Sequence, residues 1–257
     1  MNTQKRRNII LQLITEHGAV TVAELCERFG VSDVTVRRDL TALERAGLLR
    51  RIHGGAVSSR GRSYEPPFLT RAQESRAAKE AIGAFAATLV QEGDSIALDV
   101  GTTTLAMARH LTHLHGITVV TASLPIANVL ADHPQIRVIL TGGILRAGEQ
   151  SLTGTVATGT FARFHVDKAF IGIGGIDLQN GLTEYNVEDA EVKQQLIASS
   201  QHRIVLADST KFGRTTFTSV APLDAVHEII TDDALDDAFR VALEERDIRL
   251  HLVPLTE

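Results

Sequence analysis

Between residues 95 and 211, five short apolar segments each end in a turn rich in Gly, Thr, Ser or Asp. Helix-like stretches separate these segments, and strands that alternate with helices are typical of a layered α/β domain with a largely parallel sheet. Ligands of such sheets bind beyond the carboxyl ends of the strands. The pattern therefore predicts an α/β unit with a ligand site. The five turns cover residues 99–104, 121–123, 141–143, 172–175 and 208–211.

The groups at these turns suit a small phosphorylated sugar. Backbone amides and hydroxyls at residues 101–104 would face an anion at the positive end of a helix dipole. Lys211 suits a phosphate, or a carboxylate partner such as Asp99, and Asp99, Asp177 and Glu188 would accept hydrogen bonds from sugar hydroxyls. A single turn of this composition most often has only a structural role, whereas five such turns at successive strand ends predict a pocket. The candidate ligand-binding residues are Asp99, Gly101, Thr102, Thr103, Thr104, Ser123, Gly142, Gly143, Gly175, Asp177, Glu188 and Lys211.

Charge is divided unevenly along the chain. Residues 1–62 hold 11 Lys and Arg against 6 Asp and Glu, whereas residues 63–257 hold 15 against 25. A basic segment that precedes an acidic body predicts that this segment meets a polyanion. A solvated basic surface is the alternative that charge alone leaves open.

The two regions are separated by a stretch that breaks regular structure. Residues 58–70 carry one glycine and a Pro-Pro pair, with little periodicity, which is typical of a linker. We therefore predict a DNA-binding domain over residues 1–57 and a sensing and oligomerisation domain over residues 71–257.

Composition argues against several classes of protein. No uncharged apolar run reaches the roughly 18 residues of a membrane helix, and residues 1–16 contain no apolar core of a secretory signal. The single cysteine, Cys26, excludes a disulfide scaffold and is expected to be a small core residue. The expectation is a cytoplasmic protein with no membrane partner.

Three short helices are predicted near the amino terminus. The first covers about residues 3–16 and ends at Gly18. The second follows Thr21, because Thr21 and Glu24 match the capping box, and it ends at Gly30. The third helix follows a tight turn, and this succession is typical of a helix-turn-helix.

The third helix is predicted to begin at its N-cap Ser32 and to display a basic, hydroxyl-bearing face. A buried stripe at a spacing of three and four residues leaves this face exposed. A hairpin over LLRRIHGGAV would form a wing beside it. The planar guanidinium group of arginine can bind both phosphates and guanine edges. The basic third helix and its wing together therefore predict major-groove recognition of duplex DNA. The candidate DNA-binding residues are Ser32, Val34, Thr35, Arg37, Arg38, Arg45, Arg50, Arg51 and His53.

The alternative for Arg37 and Arg38 is a solvated face or ion pairs with Asp39 and Glu44. Asp39 is expected to be such a partner.

The motifs resemble one family over most of the chain. VSDVTVRRDL and RRIHGGA, within residues 1–57, resemble the winged helix-turn-helix of DeoR-type bacterial repressors of sugar metabolism. LDVGTTT, TASLPIAN, LTGG, DKAFIGIGGID, GLTEYN and LADSTKFG resemble the sensor domain of that family. The resemblance implies a fold like that of ribose-5-phosphate isomerase and a sugar-phosphate effector. It implies that GTTT holds the phosphate, and that the site is lined by Asp99, Ser123, Gly143, Gly175 and Lys211.

Enzyme and metal functions fit the residues less well. The resemblance places Gln194 where the isomerase has its glutamate base, and an amide cannot act as a base. Asp177 occupies the position of GIGGID where a dinucleotide fingerprint needs Gly or Ala. The histidines at 110, 113 and 115 suit a helix end better than a metal site. We therefore expect no catalytic residue, no cofactor and no metal.

These expectations combine into one function. The chain is predicted to be a transcriptional repressor of a carbohydrate-use operon that binds double-stranded operator DNA. It is expected to act as a homo-oligomer, a dimer or a tetramer, because symmetric operators match symmetric proteins. A small phosphorylated sugar is expected to set its DNA affinity. A sugar-phosphate isomerase fused to a DNA-binding head is the alternative.

Overall fold

A computed structural model describes residues 2–17, 19–46, 48–58 and 61–255. The chain divides into two compact units, Met1–Tyr64 and Glu65–Glu257, so the division lies within the predicted linker. Phe68–Gln73 forms a helix that begins inside this predicted linker. Gly18, which was predicted to end the first helix, lies outside the described residues, as do linker residues 59 and 60.

The described residues of the first unit form three helices and a small sheet. The apolar side chains Ile10, Leu25, Val36 and Leu40 form its core together with Leu49. The sheet has the order β1-β3-β2 and is antiparallel. The helices are α1 (Thr3–His17), α2 (Val22–Phe29) and α3 (Asp33–Arg45), and the strands are β1 (Ala19–Thr21), β2 (Leu49–Ile52) and β3 (Gly55–Ser58).

The ends of α2 follow directly from the sequence. The Glu24 amide donates to Thr21 Oγ1 at 3.2 Å, and the Thr21 amide donates to Glu24 Oε2 at 2.8 Å, so the predicted capping box is confirmed. Gly30 ends the helix with φ +61°, a left-handed conformation that glycine adopts without steric cost. The tight turn that Gly30 makes sets the direction of α3.

Asp39 holds α3 against α1. Its carboxylate is 2% exposed and accepts hydrogen bonds from Arg6 Nε at 2.6 Å and Arg7 Nε at 2.8 Å. The expectation that Asp39 pairs with Arg37 or Arg38 is therefore wrong. Asp39 lies next to the buried stripe of α3, on the side that packs on α1, whereas Arg37 and Arg38 point to solvent.

The second unit is built on a seven-stranded parallel sheet of order β15-β14-β12-β9-β4-β5-β6. Among its described residues, its helices are α4 (Phe68–Gln73), α5 (Arg76–Ala87), α6 (Thr102–His110), α7 (Leu124–Ala131), α8 (Thr155–Phe161), α9 (Val187–Ala198) and α10 (Asp237–Glu244). Its strands are β4 (Ser95–Leu98), β5 (Thr118–Thr121), β6 (Arg137–Leu140), β7 (Ile144–Arg146), β8 (Ser151–Thr153), β9 (Val166–Gly172), β10 (Gly175–Asp177), β11 (Gly181–Glu184), β12 (Ser200–Leu206), β13 (Thr218–Ala221), β14 (Glu228–Asp232) and β15 (Arg249–Val253).

Helices cover both faces of this sheet, as the alternation predicted. Ile96 and Leu98 of β4 face one core, with α5, α6 and α7, whereas Ala97 between them faces the other, with α8 and α9. Two antiparallel additions flank the sheet, the β7–β8 hairpin and the sheet β10-β11-β13. The predicted layered α/β class is confirmed. In the described part of the chain, no helix combines the length and apolar character needed to cross a bilayer.

Candidate functional site

The outward face of α3 carries the predicted recognition residues. Val34 is 68% exposed, and the side chains of Arg38 and Arg45 are exposed as well. Arg37 forms an i,i+4 ion pair with Asp33 at the solvent surface. The charge of Arg37 is thus partly offset, whereas Arg38 forms no ion pair among the described residues.

Ser32 lies at the N-cap of α3 without capping it. No hydrogen bond joins its hydroxyl to a backbone amide of the helix; instead, the hydroxyls of Ser32 and Thr35 lie 3.0 Å apart. The predicted position is correct, but the predicted capping bond is absent from the described helix start. Both hydroxyls therefore present donors and acceptors on the side where the helix begins.

The wing is the β2–β3 hairpin, in which Arg51 pairs with Ala56. Arg50 and His53 are exposed. Arg51 is half-buried: its amide donates to Glu44 Oε1 at 2.9 Å and its Nη1 donates to Thr41 Oγ1 at 3.0 Å. Arg51 thus fixes the wing to α3, while the neighbouring Arg50 remains available at the surface.

A cleft in the second unit opens at the carboxyl edge of the parallel sheet. Strands β4, β5, β6, β9 and β12 all end at this edge, so all five predicted turns lie there. The cleft itself lies over β4, β9 and β12, and α4, α5 and α9 close its sides. Its lining residues are Glu65, Arg71, Lys79, Val100, Gly101, Thr102, Thr103, Glu149, Gly172, Ile173, Gly174, Glu184, Tyr185, Asp189, Lys193, Leu206, Ala207 and Lys211.

Four of the predicted ligand residues line this cleft: Gly101, Thr102, Thr103 and Lys211. Gly101 is the N-cap of α6 with φ +143°, so the chain turns sharply there and the first amides of the helix meet the cleft. Thr104 lies one step further inside, where its hydroxyl donates to the Gly101 carbonyl at 3.1 Å.

Asp99 lies directly beneath the cleft and forms an ion pair with Lys193 of α9. A phosphate and the Asp99 carboxylate are the two alternative partners considered for Lys211, and Asp99 pairs instead with the fully buried Lys193 of α9. Burial raises the pKa of Asp99 to about 6, although the Lys193 ammonium opposes this shift. Burial alone would lower the pKa of Lys193, but the carboxylates of Asp99 and Glu184 outweigh it and raise that pKa.

Three predicted polar residues do not line the cleft, and two of them, Ser123 and Asp177, serve local turns. Ser123 caps α7 by accepting the Ile126 amide at 3.3 Å. Asp177 accepts the backbone amides that follow it, at 3.0 and 2.8 Å, in the turn between β10 and β11. Glu188 is exposed in the first turn of α9.

Of the three predicted glycines outside the cleft, Gly143 and Gly175 permit close backbone approaches, and Gly142 permits a positive φ. Gly142 and Gly143 have φ +75° and +123°, and a Cβ on Gly143 would lie 2.5 Å from the Thr153 carbonyl. A Cβ on Gly175 would lie 2.3 Å from the Arg214 carbonyl. These glycines join the flanking β7–β8 and β10–β11 segments to the sheet edge, and they do not line the cleft.

Sequence reasoning missed most of the charged residues of the cleft. Lys79 is 4% exposed on the apolar face of α5, and its ammonium donates to the carbonyls of Arg71 and Glu74. Burial lowers the pKa of Lys79 to about 8. A lysine within an apolar helix stripe was the available signal. Nothing local marked Arg71, which lies next to the predicted linker.

Lys211 has no carboxylate partner among the ion pairs of the described residues, and burial lowers the pKa of its ammonium. Tyr185 also lines the cleft, and its buried hydroxyl has no hydrogen-bond partner in the described chain. Burial raises the pKa of Tyr185 to about 12, which keeps this phenol a neutral donor. Gln194 is exposed on α9 and does not line the cleft; its amide donates to the Ser219 carbonyl at 3.2 Å.

Comparison with known proteins agrees with both units. The DeoR-like helix-turn-helix domain matches residues 6–61, and the DeoR C terminal sensor domain matches residues 74–233. The HTH-type transcriptional regulator YgbI of Escherichia coli K12 is 37% identical over 96% of this chain and 96% of its own. The glycerol-3-phosphate regulon repressor of the same strain is 31% identical over 98% of this chain and 100% of its own.

Among solved structures, ribose 5-phosphate isomerase A of Methanocaldococcus jannaschii matches 52% of this chain and 53% of its own, with 17% identity and a TM-score of 0.39. A winged helix-turn-helix followed by an α/β sensor domain defines a transcriptional regulator. The chain belongs to the DeoR family of transcriptional regulators.

Proposed function

We propose that this chain represses a carbohydrate-use operon and that a small phosphorylated sugar in the cleft sets its affinity for operator DNA. Residues 1–57 would bind DNA and residues 71–257 would sense the sugar. The observation that carries the ligand class is Lys211, a half-buried lysine without a carboxylate partner among the ion pairs of the described chain, in the same cleft as the amino end of α6. A half-buried cation and the amides at a helix start together favour a phosphate.

Unpartnered polar groups at the cleft support the sugar part of the ligand. A buried donor or acceptor without a partner costs about 1–3 kcal/mol. The hydroxyl of Tyr185 and Oδ1 of Asp99 are both in this state in the described chain. The hydroxyls of a bound sugar would supply hydrogen-bond partners to such unpartnered groups. Of these two groups, the Tyr185 hydroxyl belongs to a residue that lines the cleft.

The DNA-binding role rests on the exposed arginines of α3 and the wing. We propose that Arg38 and Arg45 contact DNA from the recognition helix, and Arg50 and His53 from the wing. A homo-oligomer would place two such surfaces on a symmetric operator. The ligand must then bind the two DNA-affinity states with different strength. We place this regulator in the cytoplasm, where operator and sugar phosphates meet.

A thermal-shift screen of the full chain tests the ligand class. The panel contains sugar phosphates, the parent sugars and inorganic phosphate. A phosphorylated sugar is expected to raise the melting temperature and to change affinity for duplexes from the region upstream of its own gene. The parent sugars should do neither.

The Lys211→Ala variant locates the site. It should lose the response to the sugar phosphate and retain DNA binding. Lys168→Ala is the matched control, because Lys168 lies at the amino end of β9, where it pairs with Asp94 at 2.5 Å. Loss of DNA binding with a normal ligand response in Lys211→Ala would contradict the assignment.

We propose a binding cleft without catalysis. The alternative, sugar-phosphate isomerisation, is tested by incubating the pure protein with ribose 5-phosphate and following ketose formation. Turnover that disappears in Lys193→Met would favour the isomerase.

A further inference from the structure

Arg71 ties the first residues of the second unit to the wall of the cleft. Its Nη2 donates to Glu65 Oε1 at 2.9 Å and to Glu149 of the β7–β8 turn, while its Nε donates to the Pro66 carbonyl at 3.0 Å. Its guanidinium carbon lies 5.9 Å from the centre of the Phe68 ring. Arg71 thereby holds residues 65 and 66 back against its own helix.

A second arginine completes the network. Arg146 of β7 donates from Nη2 to Glu65 Oε2 at 2.6 Å and also pairs with Asp189 of α9. We call these five residues, Glu65, Arg71, Arg146, Glu149 and Asp189, the clasp. Three carboxylates share two guanidinium groups in it, and four of its members line the cleft, all except Arg146.

The clasp lies where the chain leaves the DNA-binding unit. The first unit ends at Tyr64, and Glu65 is the next residue. The two family domains match residues 6–61 and 74–233, so Glu65 and Arg71 belong to neither. The contact between them therefore lies in the segment that connects the two matched domains.

We propose that an anionic ligand in the cleft and the carboxylate of Glu65 compete for Arg71, so that ligand binding opens the clasp and frees the segment that leads to the DNA-binding unit. This inference rests on the proposed function, because it requires an anion in the same cleft. It adds a direct physical link between ligand and DNA-binding unit, which a bistable contact can provide.

Electrostatics gives the reason for competition. The side chains of Glu65 and Arg71 are only 10% and 13% exposed, so their charges are weakly screened. A phosphate that approaches Arg71 meets the carboxylates of Glu65 and Glu149 at the same guanidinium. Like charges cannot share one buried cation without cost, so a carboxylate must withdraw. Glu65 keeps Arg146 as a partner when it does.

The ligand-free protein provides the first test. Hydrogen exchange of the full chain is compared between wild type, Glu65→Gln and the control Glu92→Gln, an exposed glutamate that changes charge equally. Glu65→Gln should speed amide exchange in residues 61–73 by at least about fivefold, as expected for an interaction of typical coupling strength. Unchanged exchange in Glu65→Gln would overturn the proposal.

Inorganic phosphate, titrated calorimetrically at constant ionic strength, provides the second test. Glu65→Gln should bind phosphate roughly fivefold more tightly or better, and Arg71→Met more weakly. If Glu65 and Arg71 had only a structural role, both variants would bind phosphate more weakly, and that result would overturn the competition. A failure of both the wild type and Glu65→Gln to bind phosphate would overturn it as well.

A third outcome separates this inference from the proposed function. In this outcome, a sugar phosphate stabilises the wild type and changes its DNA affinity without changing amide exchange in residues 61–73. That result would contradict the opening of the clasp and would leave the proposed function intact. If sugar phosphates fail to bind but phosphate opens the segment, the proposed ligand class fails and the clasp stands.

Discussion

The Lys193 ammonium and the Asp99 carboxylate form a fully buried ion pair that joins α9 to the end of β4 beneath the cleft. Lys193 also donates to the Gly172 carbonyl at 3.0 Å, at the end of β9. Three elements of the cleft therefore meet at one ammonium group. The geometry of the cleft floor depends on this pair, whatever ligand it binds.

Removing one partner of that pair should destabilise the protein strongly. Lys193→Met leaves Asp99 buried without its cation, and a loss of about 3–5 kcal/mol in the free energy of unfolding is expected. The double variant Asp99→Asn, Lys193→Met should recover part of that loss, because no unpaired charge remains. Urea unfolding of the wild type, the single variants Asp99→Asn and Lys193→Met, and the double variant measures the cycle. Equal losses in the single and double variants would contradict this account.

Arg38 should contribute to DNA binding through its exposed guanidinium. Arg38→Ala is expected to weaken binding to DNA from the upstream region by about 1–3 kcal/mol if the side chain reads a base. Arg163→Ala, an exposed arginine of the second unit, removes the same charge and should have little effect. Fluorescence anisotropy at several salt concentrations measures both. Unchanged affinity and salt slope in Arg38→Ala would remove it from the interface.

Asp39 should be essential to the stability of the first unit. Asp39→Asn removes the charge that pairs with Arg6 and Arg7, and a local loss of about 3 kcal/mol is expected. Asp33→Asn removes an exposed charge from the same helix and should have a much smaller effect than Asp39→Asn, because solvent screens a surface ion pair. Native-state hydrogen exchange of α3 amides measures the local free energy. Similar effects of the two variants would refute the role of Asp39 in holding α3 against α1.

Two glycine-to-alanine changes should have opposite signs. A Cβ on Gly83 of α5 would lie 2.6 Å from the Met107 amide nitrogen of α6, so Gly83→Ala should destabilise by about 1–3 kcal/mol. Gly159 of α8 has open space around its Cβ position, and Gly159→Ala should stabilise by about 0.5–1 kcal/mol. Thermal and urea unfolding compare them. A neutral Gly83→Ala would show that α5 and α6 can separate at no cost.

Lys79 should make stability rise with pH in alkaline solution. Burial lowers its pKa from the ordinary 10.5 to about 8, so between these values the unfolded chain binds more protons than the folded chain. The free energy of unfolding then increases with pH over that window, by about 1–3 kcal/mol from this group. Urea unfolding from pH 7 to 10.5 should show a smaller rise in Lys79→Met than in wild type. Identical pH profiles would exclude the contribution of Lys79.

Much of the fold and part of the site followed from local patterns. The capping box at Thr21, the turn at Gly30 and the buried stripe of α3 involve residues close in sequence, whose spacing alone fixes their geometry. The same holds for the strand-to-helix alternation that predicted the sheet and placed Gly101 to Thr103 at its carboxyl edge. Short pieces such as β1 carried no comparable signal, because they become strands only by pairing with a distant partner.

The sequence by itself thus determined the two units, the exposed basic face of α3 and the edge of the sheet where the cleft lies. Only tertiary structure decided which charges meet: Lys193 with Asp99 across 94 residues, Arg71 with Glu149 across 78, and Arg6 with Asp39 across 33. The spacing of charged side chains along the sequence does not show which distant residue each one will pair with. The pairing is set by which helices pack together and by the cost of leaving a buried charge alone.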